Sequence, residues 1–287
     1  MPTINGTSIL GFCDTGGGFT ALYPATITNL KLESKVSTVE IEGRKVPYIL
    51  VKDVLGETYI PTPKIPDYYK QYITSPFFEV PDDKELVSFT RFIPQDAFLG
   101  QFFFIEHAWT FDYKTGKIYI NTPLSLNAKD PNMQVLGFKK DKSGNKRFGH
   151  ASMKIVVDGQ IIDVLFDTGA SFLLGENAKK VFGADKKSAG GSFIAKSIFD
   201  MWHQQHPGWR VVEKGEMNGS DMIEVPEVQV GNLKAGPAWF SKRPDEAWSK
   251  GMIGSMDKVV KGAIGGSFLQ YFKVQIDYNS ELIRFEQ

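Results

Sequence analysis

One short phrase is written twice in this chain: FCDTGGGF over Phe12–Phe19 and FDTGASF over Phe166–Phe172. In each, an aspartate closes an apolar run and is followed by Thr-Gly. A strand of this kind drives a carboxylate inward, where a lone charge is costly unless it is paired or hydrogen-bonded. The repetition is wider than the tripeptide. Asn5-Gly6 begins nine residues before Asp14 and Asp158-Gly159 begins nine before Asp167, and both dipeptides are preferred two-residue hairpin turns. Downstream, FLGQFFFIEHAWTFDYKTGKIYI (98–120) aligns without a gap on AIGGSFLQYFKVQIDYNSELIRF (263–285). Gly100 then faces Gly265, Phe103 faces Phe268, Asp112 faces Asp277, Tyr113 faces Tyr278 and Ile118 faces Ile283. The offset is 165 throughout this block and 153 at the aspartates, so the second half carries extra residues between them. A fixed self-similarity of this sort is the mark of a duplicated unit.

Two like halves related by a pseudo-twofold would bring Asp14 and Asp167 together. Close carboxylates cannot both ionise comfortably and share one proton. The ionised member takes a proton from a water, and the protonated member donates to a polarised carbonyl oxygen. Thr15 and Thr168 supply hydroxyls that can bond backbone across the axis. Gly16 and Gly169 let backbone amides approach the carboxylates. Asp112 and Asp277 also repeat, but each precedes a tyrosine at a chain reversal and reads as a turn-forming residue.

The coarse structure reads as all-β with few short helices. Hairpins are expected around Glu42-Gly43, Asp158-Gly159 and Gly231-Asn232, with terminal turns at Tyr113–Lys117 and Tyr278–Glu281. One helix is expected over Ile194–His206, ended by Pro207. Polar, proline-containing Asn121–Asn132 reads as the connection between halves. This places an N-terminal lobe at 1–124 carrying Asp14, a linker at 125–132, and a C-terminal lobe at 133–287 carrying Asp167. The first half has only Met1–Ile4 before its opening turn, which hints at trimming or processing of the N-terminus.

With these motifs in place, the chain resembles the two-lobed, single-chain aspartic peptidases of the pepsin and retropepsin-like group, in which each lobe carries D-T-G and a later apolar-apolar-Gly. The resemblance covers both halves and is dense only in the blocks quoted. It implies two retropepsin-like β-barrel lobes and a six-stranded sheet between them. It also implies a cleft for an extended polypeptide substrate, with a β-hairpin flap over it. The later motif is Phe98-Leu99-Gly100 in one half and Ala263-Ile264-Gly265 in the other, which the resemblance sets beside the Asp-Thr-Gly loops in a psi-shaped arrangement. Tyr48 and Tyr59 are candidates for an aromatic flap residue. Pepsins usually follow D-T-G with Ser or Thr, whose hydroxyl supports the ionised carboxylate. Here Gly17 and Ala170 stand instead, so the activity optimum is expected to be less acidic than pepsin's.

The remaining features exclude other classes. Lys+Arg and Asp+Glu both total 33 in 287 residues, so no nucleic-acid footprint is visible. The basic run KKDKSGNKR (Lys139–Arg147) is broken by polar residues and reads as a solvated hairpin tip. No apolar run approaches a membrane span. The N-terminus lacks the regions of a signal peptide. A secreted or periplasmic location is slightly favoured over a cytoplasmic one. Cys13 is the single cysteine and reads as a small buried hydrophobe. His203 and His206, in HQQH, lack a third ligand at clear spacing, so neither a metal nor a cofactor is expected. A monomer is expected. Two other readings stay open: a non-catalytic binding or inhibitor protein of the same fold, and a second half that pairs with itself in a homodimer.

Overall fold

Turn chemistry and strand alternation set the architecture, seen in a computed structural model that describes residues 3–4, 7–56, 61–81, 90–120 and 123–287. The chain is mostly β, with few short helices, and divides into two compact units, Met1–Glu106 and His107–Gln287. The lobe boundaries expected from the sequence follow the repeat and not this division.

In the first unit, β1 (Thr3–Ile4) pairs antiparallel with β2 (Thr7–Ser8); the Asn5-Gly6 turn lies outside the described residues. β3 (Gly11–Cys13) enters the first Asp-Thr-Gly and β4 (Thr20–Leu22) leaves it. The helix Pro24–Asn29 follows, opened by a proline whose missing N–H is no loss there. β5 (Ser37–Ile41) and β6 (Arg44–Leu50) form a hairpin over Glu42 and Gly43, whose φ values of 51° and 78° give the turn that matches strand twist. β7 (Phe77–Glu79) and β8 (Ala97–Leu99) complete a six-stranded sheet of order β3-β8-β4-β7-β6-β5. The β3·β8 and β4·β7 pairs are parallel and the others antiparallel. Alternation puts Val46, Tyr48 and Leu50 on one face, where they cover Tyr69, Ile73 and Phe77.

The second unit opens with the hairpin β9 (Ala108–Asp112) and β10 (Lys117–Ile120), then β11 (Met133–Val135). β12 (Ser152–Val157) and β13 (Gln160–Phe166) turn over Asp158 and Gly159, both at positive φ. The last three residues of β13, Val-Leu-Phe, are all buried, as suits a strand covered on both faces. β14 (Ser171–Leu173) and β15 (Ser188–Gly190) pair with each other around the helix Glu176–Phe182. β16 (Ser192–Ala195) leads into the helix Lys196–Gln205, which buries Phe199 and Trp202 and stops before Pro207. Then come β17 (Val211–Val212), β18 (Met222–Val225), β19 (Val228–Val230), β20 (Leu233–Ala235), β21 (Ala238–Arg243), β22 (Gly262–Ile264), β23 (Lys273–Asp277) and β24 (Leu282–Glu286). Their large sheet has the order β17-β18-β21-β16-β22-β13-β12-β19-β20.

Six strands of that sheet, β13-β22-β16-β21-β18-β17, have the order and strand senses of the whole sheet of the first unit. β13·β22 and β16·β21 are parallel; the other pairs are antiparallel. In both units a helix follows the third strand of the series, β4 or β16. Ser171–Gly191 stand between Ala170 and β16, whereas only Gly18 and Phe19 stand between Gly17 and β4, so part of the surplus of the second half lies here.

The other sheet of the second unit runs β10-β9-β23-β24-β11. β9 and β23 pair antiparallel with Thr110 opposite Gln275, its own counterpart at the offset of 165. Lys117 faces Asp112 as Leu282 faces Asp277, and Tyr119 faces Thr110 as Arg284 faces Gln275. Exchanging counterparts therefore maps these four strands onto themselves.

Sequence and structure differ at the helix boundary. Ile194 and Ala195 are strand, held by Lys242 and Arg243 on one side and, for Ile194, by Gly262 on the other; sheet pairing overrides local helical preference. Two further turns of the described residues fall where the sequence put them. Gly231 has φ 57° between β19 and β20, and Lys140 bridges Lys146 at the exposed basic tip. Segment 123–132 is a mostly exposed string of turns in which Asn127 and Asp130 cap neighbouring amides.

Asp112 and Asp277 do hold turns. Asp112 accepts from the Thr115 amide at 3.1 Å. Buried Asp277 accepts from Leu124 and Asn279 at 2.9 Å and from Ser280 at 3.3 Å. Burial pushes the Asp277 carboxyl up, but these donors outweigh it and hold it below the usual range. A depressed carboxylate adds stability above its unfolded value and loses it as pH falls through the folded one. Asp277→Ala is therefore expected to cost about 1–3 kcal/mol at neutral pH. In denaturant melts the difference from wild type should shrink once pH drops below the ordinary value of 3.8.

Candidate active site

Each Asp-Thr-Gly loop is built from a strand that ends in aspartate and a second strand lying parallel to it. In the first unit, Gly11, Phe12 and Cys13 align with Ala97, Phe98 and Leu99. The Asp14 amide donates to the Leu99 carbonyl at 2.9 Å, and the Gly17 amide closes the turn on the Asp14 carbonyl at 3.1 Å. The Gln101 amide then donates to the Gly17 carbonyl at 2.9 Å. In the second unit, Leu165 and Phe166 align with Ala263 and Ile264. The Asp167 amide donates to the Ile264 carbonyl at 3.0 Å, and the Ala170 amide turns back to the Asp167 carbonyl at 3.4 Å. Within each unit, then, the apolar-apolar-Gly residues lie beside the aspartate loop.

Glycines 100 and 265 permit that approach. A Cβ at 100 would stand 1.9 Å from the Phe19 carbonyl oxygen. At 265 it would stand 2.5 Å from both Ala170 Cβ and the Gly191 carbonyl oxygen, and 2.7 Å from the Asp167 carbonyl oxygen. Gly17 and Ala170 have a packing cause of their own. A side chain at 17 would meet the Phe98 ring at 2.5 Å, and Phe98 is held by stacking on Phe19 at 4.5 Å. The counterpart of Phe98 is Ala263, and there position 170 has room for a methyl group.

Asp167 is 9% exposed and Asp14 is partly exposed. The Gly169 amide donates to Asp167 Oδ1 at 3.0 Å, a bond that favours the ionised form. Ser171 Oγ donates to the Gly169 carbonyl at 3.0 Å and so steadies the loop rather than the carboxylate. Thr15 is fully buried, Thr168 half-buried, and Gly16 sits in the first turn. The Cys13 thiol is pushed up to about 12, first by burial and second by the charge of Asp14. By accessibility Cys13 is half-buried in β3, where a fully buried residue was expected. The Tyr278 hydroxyl is pushed up by full burial and, less, by the charge of Asp167.

Two residues that sequence reasoning missed brace the second loop. The Gly265 amide donates to Ser192 Oγ at 3.0 Å, Ser192 Oγ lies 2.9 Å from Ser267 Oγ, and Ser267 Oγ donates to the Trp239 carbonyl at 2.8 Å. The signal was present: Gly-Gly-Ser-Phe occurs at 190–193 and again at 265–268.

Other candidates lie elsewhere. Tyr48 sits in β6 opposite Glu79 and packs edge-on against Phe77 at 5.7 Å, on its own sheet; Tyr59 lies outside the described residues. His206 stacks on Trp209 at 4.1 Å, and its Nε2 lies 3.0 Å from Asp158 Oδ2. Among the described residues no group of three or more His, Cys, Asp or Glu is set to hold a metal ion, and no helix is long and apolar enough to cross a membrane.

No protein-family model matches the chain, and no curated protein does. Among solved structures it is similar to a retropepsin-like aspartic protease from Rickettsia conorii, at 15% identity over 53% of this chain and 88% of that one, with a TM-score of 0.30.

The packing argument has a direct check. Gly17→Ser and Gly265→Ala are each expected to lose about 1–3 kcal/mol in chemical denaturation, as overpacking does. Adding Phe98→Ala should make the serine at 17 tolerable, with a coupling of about 0.5–3 kcal/mol in a double-mutant cycle. Strict additivity would show that Phe98 is not what excludes a side chain at 17.

Proposed function

We propose that this chain is an aspartic-type endopeptidase of bilobal, internally duplicated build, in which Asp14 and Asp167 hold one water and share one proton. The observation that carries the reading is the recurrence of one loop in two settings. Each unit ends a strand in Asp-Thr-Gly and bonds the aspartate amide to the carbonyl before a glycine. Each then crosses that glycine at a distance no side chain permits. The shared six-strand order and the self-mapping ladder β10-β9-β23-β24 support descent of both from one unit.

In this reading the ionised carboxylate of the pair removes a proton from the water as its oxygen attacks the scissile carbonyl carbon. The protonated carboxyl gives its proton to the carbonyl oxygen, and a tetrahedral diol forms with no covalent enzyme intermediate. Collapse breaks the C–N bond. The leaving nitrogen takes up a proton, and the dyad returns to one shared proton. Neither step calls for a metal or cofactor. The apparent pKa values belong to the pair, so acid and base roles are not assigned to one residue each. The β5–β6 hairpin is the flap, with Glu42-Gly43 at its tip. The substrate is an extended polypeptide.

A peptide-library digest across pH, run on wild type, Asp14→Asn and Asp167→Asn, tests the proposal. Each substitution should lower turnover by about a hundredfold to ten-thousandfold while circular dichroism stays unchanged. A statine-type mimic of the diol should inhibit wild type. Full activity in Asp14→Asn alone would point to a self-paired second half, and no cleavage by wild type would point to a binding protein. The rate profile should be bell-shaped and peak above about pH 3, because no hydroxyl at 17 or 170 supports the ionised form.

A further inference from the structure

A second feature of the first unit has the build of a ligand site and shares no atom with the Asp14 loop. A half-open cavity of about 330 Å³ lies between the β5–β6 hairpin, the end of β7 and the turns around Tyr68 and Tyr69. That volume is at the lower end for small-ligand sites, about 300 Å³. Ile41, Val46 and Val80 give it apolar walls, and the two tyrosines form another side. Their rings are 4.3 Å apart; Tyr69 is nearly buried, while Tyr68 is 53% exposed.

Glu79 lines the same cavity. It sits at the end of β7 opposite Tyr48, half-buried. Burial raises its proton affinity, and the Tyr69 hydroxyl, donating to the carboxylate, opposes that in part. Arg44 and Lys45 line the same cavity, yet among the described residues no lysine or arginine lies within ion-pair distance of the Glu79 carboxylate. A carboxylate withdrawn from water without a counter-ion is costly. What relieves that cost is a positive charge brought from outside. A neutral polar group would leave the Glu79 charge uncompensated.

We propose that this cavity is a binding site for one basic side chain of an extended peptide, with its cation at Glu79 and its aliphatic stem along Ile41 and Val46. Long basic side chains bury their stems on apolar surface in this way. Arg44 and Lys45 stand at the exposed mouth. Their charges are screened by solvent salt, yet they disfavour a second cation and so select a singly charged ligand. The proposal does not depend on the peptidase reading, because binding here needs no turnover.

The test is calorimetric titration of the full chain carrying Asp14→Asn with N-acetyl-lysine methylamide and with its uncharged analogue N-acetyl-norleucine methylamide. The lysine probe should bind at least about tenfold more tightly than the norleucine probe, as a charge-assisted contact requires. Glu79→Gln should remove that preference, with folding checked by its melting temperature, and Arg44→Ala should tighten lysine binding. Ring resonances of Tyr68 and Tyr69 should shift on titration of the protein with Glu79 intact. Equal binding of both probes, unchanged binding in a folded Glu79→Gln, absence of binding at millimolar probe, or shifts that spare both tyrosines would each overturn the proposal.

Discussion

The tightest constraint in this chain is the crossing of backbone over Gly100 in one unit and Gly265 in the other. At both places a Cβ would collide with main-chain oxygen. That collision is what lets a five-residue loop be held by hydrogen bonds from both sides. The aspartate amide is spent on the carbonyl before the glycine, at 2.9 Å for Asp14 and 3.0 Å for Asp167. That bond ties each aspartate's backbone to the neighbouring strand, and in the second unit the Gly169 amide also donates to Asp167 Oδ1 at 3.0 Å. The parallel pairs β3·β8 and β13·β22 follow from the same crossing, since a strand that returns beside its neighbour from the far side runs in its direction.

The two loops reach this geometry with different atoms. In one, a large Phe98 requires nothing at position 17; in the other, a small Ala263 leaves room for the methyl of Ala170. The larger ring thus goes with the bare glycine and the smaller side chain with the methyl, so what one position holds limits the other. The second loop carries a brace of two serines. Ser192 and Ser267 carry the Gly265 amide to the Trp239 carbonyl through two hydroxyls. In the first unit, buried Thr20 and Gln101 occupy the neighbouring positions at the start of β4 and after Gly100.

Much of this was legible in the sequence, for identifiable reasons. Turns that need positive φ advertise themselves, so Glu42-Gly43, Asp158-Gly159 and Gly231 could be placed without tertiary information. The apolar-apolar-Gly segments were legible because a duplicated pattern is read against itself. What was not legible depends on partners distant in sequence. Ile194 and Ala195 look helical until Lys242 and Arg243 are known to lie beside them. Glu79 looks like an ordinary exposed acid until Tyr69 and the β5–β6 hairpin enclose it. The change in offset gave a net surplus of residues between the aspartate and the later block, but not its place: that Ser171–Gly191 stand before β16 and pair as β14 and β15 could not be read, because the first half offers no counterpart to these strands.

The sheet β10-β9-β23-β24 shows what fixes the register of two hairpins with matched sequences. Its centre is the facing pair Thr110 and Gln275, which stand at the offset of 165 yet differ. Identity at the centre is therefore not what keeps the register. The flanks keep it: Val274 and Ile276 are buried while Lys273 and Gln275 are partly exposed. A slip of one residue would exchange those faces along the whole strand. Asp112 and Asp277 close the two hairpins at equivalent ends with carboxylate-to-amide bonds, so a slip would also break both turns. Burial pattern and turn chemistry thus select the same register independently.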